Sequence, residues 1–314
     1  PRPNEKTIRV RTLFEAAGKV ESGQMTPEEM HQMEFQACPG CGSCSGLFTA
    51  NTMNCMTEVL GMGLPGNGTI PAAYTGLRRM LAKKAGQVVM DLVRKDIKPR
   101  DIMTLEAFEN AIAVDMAIGG STNTALHLPA IAHEAGVDLS LDEFDEISRK
   151  AAYICKMSPG GTYHMQDLDE AGGICAVMKE VSQLGLIHTD AKTITGTVGD
   201  RIKDAKILNH DVIHSVENAY MHKGGIAVLK GNLAPLGSVI KESAVEPDLL
   251  VYKGTAKCYD SEEAAIAAII GGEIKEGHVV VIRYEGPKGG PGMREMLNPT
   301  AVITGMGLKV ALLT

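Results

Sequence analysis

The sequence has no tryptophan and little aromatic character of any kind. Its 314 residues include 5 phenylalanines and 7 tyrosines, and aromatic residues make up 4% of the chain. Proteins that bind single-stranded nucleic acid stack bases on aromatic side chains, and few are present here. A basic excess is also missing, because 31 basic residues face 38 acidic ones and the formal net charge is −7. We therefore expect no nucleic-acid partner.

The sequence also lacks a long apolar run. It contains no stretch of 18 or more apolar residues, the length that a transmembrane helix requires, so we expect neither a membrane span nor a membrane partner. The first residues do not follow the pattern of a signal peptide. Because the chain starts without Met and ends on the strand-like run before Thr314, we expect it to be a fragment of a longer protein.

Cysteine is present but unevenly distributed. The seven cysteines form one cluster and three single positions, at Cys38, Cys41, Cys44 and Cys55, then at Cys155, Cys175 and Cys258. A secreted disulfide framework has an even number of cysteines at a higher density. We therefore expect a reducing compartment, the cytoplasm of a bacterium or the matrix of an organelle, in which the cluster serves metal or redox chemistry.

Local patterns divide the chain into a helical part and a strand-rich part. Thr26 followed by Pro27 marks one helix start, and Ser261 begins another helix that ends at Gly271. Further helices are predicted over residues 47–60, 70–85, 105–117, 125–135, 142–152 and 168–184. Short β-branched runs after residue 190 predict strands, at residues 193–198, 212–213, 225–229, 238–240, 249–252, 278–283 and 309–313.

These patterns predict an α/β fold with two domains, since domains usually hold about 100–200 residues. The first, over residues 1–200, is expected to be a helix-rich α/β domain that carries the cysteine cluster. The second, over residues 201–314, is expected to be a β-barrel-like domain with flanking helices. We expect the first domain to be incomplete at its N-terminus and the second to be incomplete at its C-terminus.

The segment Ala37–Gly46, with the sequence ACPGCGSCSG, places three thiols at three-residue spacing. Thiolates are the usual ligands of iron–sulfur clusters, and small residues between them let the backbone approach a cluster closely. Structural zinc is a rival, although it needs four nitrogen or sulfur ligands and no second CxxC occurs. A thioredoxin-like redox pair is a weaker rival, since no βαβ pattern surrounds the motif. A turn whose cysteines bind nothing also stays open.

A second glycine-rich segment, Tyr284–Leu297, has the sequence YEGPKGGPGMREML. A loop of glycine and proline at the end of a strand can present backbone N–H groups to an anion. Glu285 and Glu295 flank the loop with the carboxylates that Mg²⁺ prefers as ligands. Lys288 is a candidate substrate contact. The alternative is a simple hairpin loop with solvated charges.

Together these segments resemble the dihydroxyacid dehydratase family, which belongs to a wider group of sugar-acid dehydratases. The run ACPGCGSCSGLFTANTMNCMTEVLGMGLPGNGT at Ala37–Thr69 matches one family signature, and YEGPKGGPGMREML matches the second. Three further segments occur in the family's order, at Gly119–Gly136, Asp167–Ile174 and Gly224–Lys241. The CPxCGSC triplet favours the branched-chain amino-acid branch over the phosphogluconate and aldonate dehydratases.

The resemblance implies a hydro-lyase that converts 2,3-dihydroxy-3-methyl carboxylic acids to 2-oxo acids in valine and isoleucine biosynthesis. It also implies an iron–sulfur cluster, with [2Fe–2S] favoured over [4Fe–4S], a Mg²⁺ ion and a homodimer. Residue by residue, Cys38 matches a cluster ligand and Glu295 a Mg²⁺ ligand, whereas Cys41 and Cys44 do not match ligands. The catalytic base, a serine, is expected beyond Thr314, so no catalytic residue is assigned within the chain.

Several further residues are candidates for contact with the small-molecule substrate. Ser121, Thr122 and Asn123 follow a glycine pair at a predicted helix N-terminus, where helix capping and substrate contact both stay open. His164 and Asp167 are further candidates for the same cleft.

Three alternative functions stay open at this point. The first is a sugar-acid (aldonate) dehydratase. The second is a non-catalytic, truncated homologue that has kept the fold without the chemistry. The third is a zinc-stabilised binding module, which would hold zinc without iron or sulfide.

Overall fold

The computed structural model describes residues 10–37, 41–42, 44–286 and 294–314. These residues belong to two compact units. The larger unit is Gly42–Val245, and the smaller unit combines Glu246–Thr314 with the described residues that precede Gly42. The domain boundary at residue 200 stays a prediction.

Helices account for most of the regular structure in the described part of the chain. They are α1 (Val10–Glu21), α2 (Pro27–Ala37), α3 (Thr49–Val59), α4 (Thr75–Arg94), α5 (Leu105–Ile118), α6 (Thr124–Ala135), α7 (Leu141–Lys150), α8 (Met165–Glu170), α9 (Gly173–Val181), α10 (Val198–Ile202), α11 (Glu262–Ile270) and α12 (Leu297–Gly305). None of the helices formed by the described residues is both long and apolar enough to cross a membrane.

The strands of the described residues are short and form three separate sheets. They are β1 (Lys192–Thr193), β2 (Gly196–Thr197), β3 (Ala227–Leu229), β4 (Ser238–Ile240), β5 (Thr255–Tyr259), β6 (His278–Ile282) and β7 (Ala311–Leu313). β1 pairs with β2 and β3 with β4 as antiparallel hairpins, and β5, β6 and β7 form a parallel sheet in that order.

Helix α5 forms the centre of the larger unit. Eleven of its fourteen residues are buried, including Phe108, Ile112 and Met116. A helix that is apolar on all sides is buried on all sides, and α5 packs against α3, α6, α7 and α9. Its end is set by Gly119, whose φ of 58° is a left-handed conformation that glycine adopts at low cost.

The smaller unit is built on the parallel sheet. Helix α11 connects β5 to β6, and α12 lies between β6 and β7, as parallel pairing requires. Val280, Ile282, Ile269 and Val302 are part of its apolar core. Helices α1 and α12 pack so closely at Gly18 that a Cβ atom there would lie only 2.7 Å from the Val302 carbonyl oxygen.

Two predicted helix starts are confirmed. The Glu29 N–H donates to Thr26 Oγ1 over 3.2 Å, and the Glu29 carboxylate accepts from the Thr26 N–H over 2.8 Å. This reciprocal pair satisfies two backbone groups at the start of α2. At the start of α11, the Ala264 N–H donates to Ser261 Oγ over 3.1 Å.

The β-barrel-like arrangement of the second domain is not formed by the described strands. The fold is mixed α/β and helix-rich, with small sheets. Barrel closure requires that the last strand pair with the first, whereas β5 and β7 are the two edges of an open three-stranded sheet. Its parallel strands are joined by helices, so the sheet and helices form layers.

Several predicted elements were wrong in extent. The helix over 168–184 is divided into α8 and α9 because Gly172 and Gly173 have φ values of 123° and 66°. The helix expected over 70–85 begins at Thr75 and continues to Arg94. No strand forms at 212–213, a buried segment in which the N–H groups of both residues donate to the Asn209 carbonyl oxygen.

The strand predicted over 249–252 was also wrong. Pro247–Leu249 forms a short 3₁₀ helix, and Leu250 and Val251 are 54% and 91% exposed. An apolar run with no buried face gains little from joining a sheet. The strand lies instead at Thr255–Tyr259, where β6 supplies the pairing partner.

Candidate functional site

The cysteine segment is described only in part. Cys38, the predicted cluster ligand, lies outside the described residues, whereas Cys41 and Cys44 are described and exposed. Cys44 Sγ accepts a hydrogen bond from the Gly46 N–H over 3.4 Å. The thiol therefore packs back on the turn that ends the loop.

The backbone that follows Cys44 is held in place from two sides. Asn51, in the first turn of α3, donates from its side chain to the carbonyl oxygens of Cys44 and Gly46 over 3.0 and 2.7 Å. On the other side, the Leu47 N–H donates to the Ser158 carbonyl over 2.7 Å. Because these backbone groups have hydrogen-bond partners on two other segments, the end of the loop has a defined position.

The three candidate substrate contacts at the start of α6 lie beside the start of α3. Ser121 Oγ lies 3.2 Å from Thr49 Oγ1, and Asn123 Nδ2 donates to Thr49 Oγ1 over 2.6 Å. The Ser121 N–H donates to Thr52 Oγ1 over 3.2 Å. No cap hydrogen bond runs from the Asn123 side chain to the α6 backbone. Substrate contact by Ser121, Thr122 and Asn123 stays a prediction.

A buried carboxyl lies directly under this turn, and sequence reasoning did not identify it. Asp115 is fully buried on α5, and its Oδ2 accepts from Thr124 Oγ1 over 2.7 Å. Its Oδ1 has no hydrogen-bond partner among the described residues. Burial raises the pKa of Asp115 to about 7, although the Thr124 hydrogen bond and the charge of Lys241 act to lower it.

The Asp115 carboxyl occupies space that a side chain at Gly120 would need. A Cβ atom on Gly120 would lie 1.9 Å from Asp115 Oδ1. Gly120 is therefore favoured for steric reasons, and Gly119 is favoured because its backbone is left-handed. The available signal was the single acid within the apolar run 111–118, because an acid is rarely buried without a structural or functional reason.

A second buried carboxylate, Glu58 on α3, organises the loop LPGNGT of the first signature. Its Oε2 accepts from the Gly66 and Gly68 N–H groups over 3.1 and 3.0 Å, and Cys175 Sγ lies 3.8 Å from Oε1 as a donor. Burial raises the pKa of Glu58, while these donors and Arg201 favour the charged form. Glu58 therefore determines the shape of the loop that follows α3.

Two of the segments that match the family meet at Thr69, the last residue of this loop. Thr69 Oγ1 donates to Asp169 Oδ1 over 2.6 Å.

His164 and Asp167 have a local function, because the His164 N–H donates to Asp167 Oδ2 over 2.6 Å at the start of α8. This hydrogen bond caps the helix, and a substrate role for the two residues stays a prediction.

The glycine-rich segment of the smaller unit is described only at its two ends. Lys288 lies outside the described residues. Glu285, before the gap, is buried and accepts from the Glu262 N–H over 2.9 Å and from Arg294 over 3.2 Å. Arg294, after the gap, also pairs with Glu262 over 2.7 Å. Glu285 is thus part of an ion-pair network at the start of α11. Glu295, the residue after Arg294 in the chain, is exposed.

No group of three or more histidine, cysteine, aspartate or glutamate side chains is arranged to hold a metal ion within the described ranges. The cluster at Cys38 and the Mg²⁺ ion at Glu295 therefore stay predictions.

Two family models match the chain. The one described as "Dihydroxy-acid/6-phosphogluconate dehydratase N-terminal" matches residues 2–201, and the one described as "Dihydroxy-acid/6-phosphogluconate dehydratase C-terminal" matches residues 211–314. Together they cover nearly the whole chain, and the gap between the two matches lies at residues 202–210.

The chain is also similar to curated proteins named dihydroxy-acid dehydratase. It is 60% identical to the one from Acetivibrio thermocellus, over 100% of this chain and 57% of the relative. It is 58% identical to that of Caldanaerobacter subterraneus subsp. tengcongensis and 59% identical to that of Moorella thermoacetica, each over 98% of this chain and 56% of the relative. The chain thus spans a little more than half the length of these relatives.

Proposed function

The chain belongs to the dihydroxy-acid/6-phosphogluconate dehydratase family, and from this premise we propose that it is part of a dihydroxyacid dehydratase. The proposed reaction removes water from 2,3-dihydroxy-3-methyl carboxylic acids and yields the 2-oxo acids of valine and isoleucine biosynthesis. The observation that carries the proposal is the identity of 60% over the whole chain with a relative of that name.

The donor atoms of this chain are compatible with the two cofactors that the family resemblance implies. The cysteine segment supplies soft thiolates between small residues, and the described Cys41 and Cys44 side chains are exposed rather than packed into the core. Glu295 supplies an exposed carboxylate, a hard oxygen ligand. We propose that Cys38 holds iron of the cluster and that Glu295 holds Mg²⁺.

When bound, such a cluster would supply a Lewis acid for the departing 3-hydroxyl, and Mg²⁺ would hold the substrate carboxylate and 2-hydroxyl. The chain's own residues provide the frame. Asn51 fixes the backbone after Cys44, and Glu58 fixes the LPGNGT loop. Ser121 and Asn123 present hydroxyl and amide groups beside α3, where they would orient a hydroxylated substrate.

The remaining features of the family stay part of the proposal. The division of the chain near residue 200 is supported by the limits of the two family models. We propose in addition a homodimer, a cytoplasmic location, and a barrel-like arrangement of the second domain in the full-length protein.

The cofactor proposal is tested by metal analysis of the full-length protein, purified without oxygen. We expect iron and acid-labile sulfide in the wild-type protein and a loss of most of both in the Cys38→Ser variant. Cys258→Ser is the matched control, because this exposed thiol lies on β5 in the smaller unit. Zinc without iron or sulfide would contradict the proposal, and so would equal cluster content in both variants.

A further inference from the structure

The turn over residues 119–124, between α5 and α6, is held at both of its ends by one residue of α5, Asp115. The N–H groups of Gly119 and Gly120 donate to the Asp115 carbonyl oxygen, the second over 3.0 Å. The Asp115 side chain is fully buried and accepts from Thr124 Oγ1 over 2.7 Å. The backbone of Asp115 therefore fixes the start of the turn, and its carboxyl fixes the end.

The same turn carries the two side chains that would orient a hydroxylated substrate. Ser121 Oγ lies 3.2 Å from Thr49 Oγ1 on α3, and Asn123 Nδ2 donates to the same oxygen over 2.6 Å. The Asn123 N–H donates to Ser121 Oγ over 3.2 Å, so the two residues also hold each other. The directions of this hydroxyl and this amide therefore depend on the backbone of the turn.

The Thr124 hydroxyl couples the Asp115 carboxyl to the backbone of Ser121. Thr124 is fully buried, and its Oγ1 lies 2.7 Å from Asp115 Oδ2 and 2.8 Å from the Ser121 carbonyl oxygen. A hydroxyl has one proton to donate. The carboxyl and the Ser121 carbonyl thus share a single donor, and a change at one acceptor alters the hydrogen bond to the other.

The carboxyl also supports the turn through its volume. The backbone at Gly120 lies so close to Asp115 that a Cβ atom there would be 1.9 Å from Oδ1. A smaller side chain at position 115 would leave a gap beneath the turn. Neighbouring groups relax partly into such a gap, which would displace Ser121.

Stability of the helix ends does not require a buried carboxyl at this position. Thr124 already has the Ser121 carbonyl as an acceptor, and Asp115 Oδ1 has no hydrogen-bond partner within the described ranges. Lys241 acts on Asp115 through its charge, yet the two residues form no ion pair. Burial of an acid without full compensation costs stability, so Asp115 is better explained by a role in the site.

We propose that Asp115 is a positioning residue for the dehydration, which sets the directions of the Ser121 hydroxyl and the Asn123 amide without touching the substrate. This assignment rests on the proposed function, because that proposal gives these two groups a hydroxylated substrate to orient. A displacement of about 1 Å in an orienting group is sufficient to lower a rate about a hundredfold. A turn that is held at both ends prevents such a displacement.

A double-mutant cycle on the full-length protein, purified without oxygen and with its iron content measured, tests the assignment. Asp115→Ala should lower kcat/KM for 2,3-dihydroxy-3-methylbutanoate about tenfold, but less than about twofold in a protein that already carries Ser121→Ala and Asn123→Ala. Asp115→Asn keeps an oxygen acceptor for Thr124 and should restore kcat/KM to within about threefold of the wild type. Equal losses in the two backgrounds would overturn the assignment, because Asp115 would then act independently of the two groups.

Thr124→Val tests the same coupling without altering the carboxyl. It keeps the shape of the side chain and removes the shared donor, so kcat/KM should fall about threefold to tenfold, and Thr124→Ser should restore it. Thr193→Val is the matched control, since Thr193 is a buried threonine of β1 whose hydroxyl donates to the Gly196 carbonyl oxygen over 3.1 Å. This control should stay within about twofold of the wild type. Equal losses in Thr124→Val and Thr193→Val would also overturn the assignment.

Amide hydrogen exchange measures the turn without turnover. Exchange over residues 119–124 should quicken about tenfold in Asp115→Ala and in Thr124→Val, with no change over residues 192–202. Exchange over 119–124 that is equally slow in Asp115→Ala and wild type would refute the support described here. The local response in a protein that dehydrates no dihydroxy acid would contradict the proposed function alone, whereas an active enzyme whose kcat/KM does not respond to Asp115→Ala would contradict the positioning role alone.

Discussion

Thr69 Oγ1 donates a hydrogen bond of 2.6 Å to Oδ1 of Asp169 and so joins two segments that lie a hundred residues apart in the chain. Thr69 ends the loop that Glu58 organises, and Asp169 is on α8. The bond therefore connects the loop that follows α3 to α8 within the larger unit.

Removal of this hydrogen bond should destabilise the larger unit. Thr69→Val keeps the shape of the side chain and deletes the hydroxyl, which leaves the Asp169 carboxylate without this donor. A hydrogen bond to a charged group contributes about 1.5–3 kcal/mol, so we expect the free energy of unfolding to fall by about 1–2 kcal/mol in a urea titration followed by circular dichroism. Thr189→Val, at an exposed position, should change it by less than about 0.5 kcal/mol. Equal effects of the two substitutions would be inconsistent with the proposed link.

The buried Asp115 should make stability depend on pH. The pKa of Asp115 is about 7 in the folded protein, whereas the ordinary pKa of an aspartate, expected in the unfolded chain, is 3.8. Between these two pH values the folded state holds a proton that the unfolded state has released. Stability therefore falls as the pH rises from about 4 to about 7, by up to about 1.4 kcal/mol per pH unit. Lys241, with its pKa lowered to about 8, contributes only above this window.

The measurement is urea unfolding of the wild type and of Asp115→Asn at pH 4, 5, 6 and 7. As the pH rises from 4 to 7, the free energy of unfolding of the variant should increase relative to that of the wild type by about 2–4 kcal/mol in total. A difference that is constant across the four pH values would show that Asp115 titrates in the folded state as it does in the unfolded chain.

Two glycines in one unit should respond in opposite directions to alanine. At Gly120 a Cβ atom would lie 1.9 Å from Asp115 Oδ1, so Gly120→Ala should destabilise the fold by about 2 kcal/mol or more. Gly86 lies inside α4 with open space around it, so Gly86→Ala should stabilise by about 0.5–1 kcal/mol. Thermal unfolding of both variants checks the pair, and a tolerated Gly120→Ala would contradict the packing described beneath the Ser121 turn.

Arg294 should stabilise the smaller unit through two buried carboxylates. Arg294→Ala leaves Glu285 and Glu262 without this cation, and both carboxylates are nearly inaccessible to solvent. Since Arg294 is itself 38% exposed, we expect a loss of about 1–3 kcal/mol rather than the full cost of a buried ion pair. Arg283→Ala removes a comparable but exposed pair with Asp260 and should cost less than about 1 kcal/mol. Chemical denaturation would decide, and a greater loss in Arg283→Ala would refute the assigned network.

Local sequence was sufficient for features that neighbouring residues determine. Thr26 and Ser261 cap helices because their hydroxyls reach backbone groups three residues ahead, and any sequence with that spacing offers the same bond. The strand at Thr255–Tyr259 was missed because its sequence, TAKCY, has one β-branched residue, whereas β6, HVVVI, is rich in them. The open form of the sheet was missed because strand order is a tertiary property.

The candidate site shows the same division. The glycine pair before Ser121 correctly indicated a helix start at α6. The buried acids Glu58 and Asp115 were missed, because neither belongs to a spacing pattern and their partners lie on distant segments or across a turn.

The central claim is that the full-length protein dehydrates branched dihydroxy acids. The most direct test is the rate at which the anaerobically purified protein forms 3-methyl-2-oxobutanoate from 2,3-dihydroxy-3-methylbutanoate, compared with 2-oxo acid formation from an aldonate and from 6-phosphogluconate. We predict turnover of the branched dihydroxy acid with a kcat/KM about a hundredfold or more above that for either sugar acid. A preference for a sugar acid, or no dehydration of any of the three by protein that contains iron and sulfide, would contradict the account.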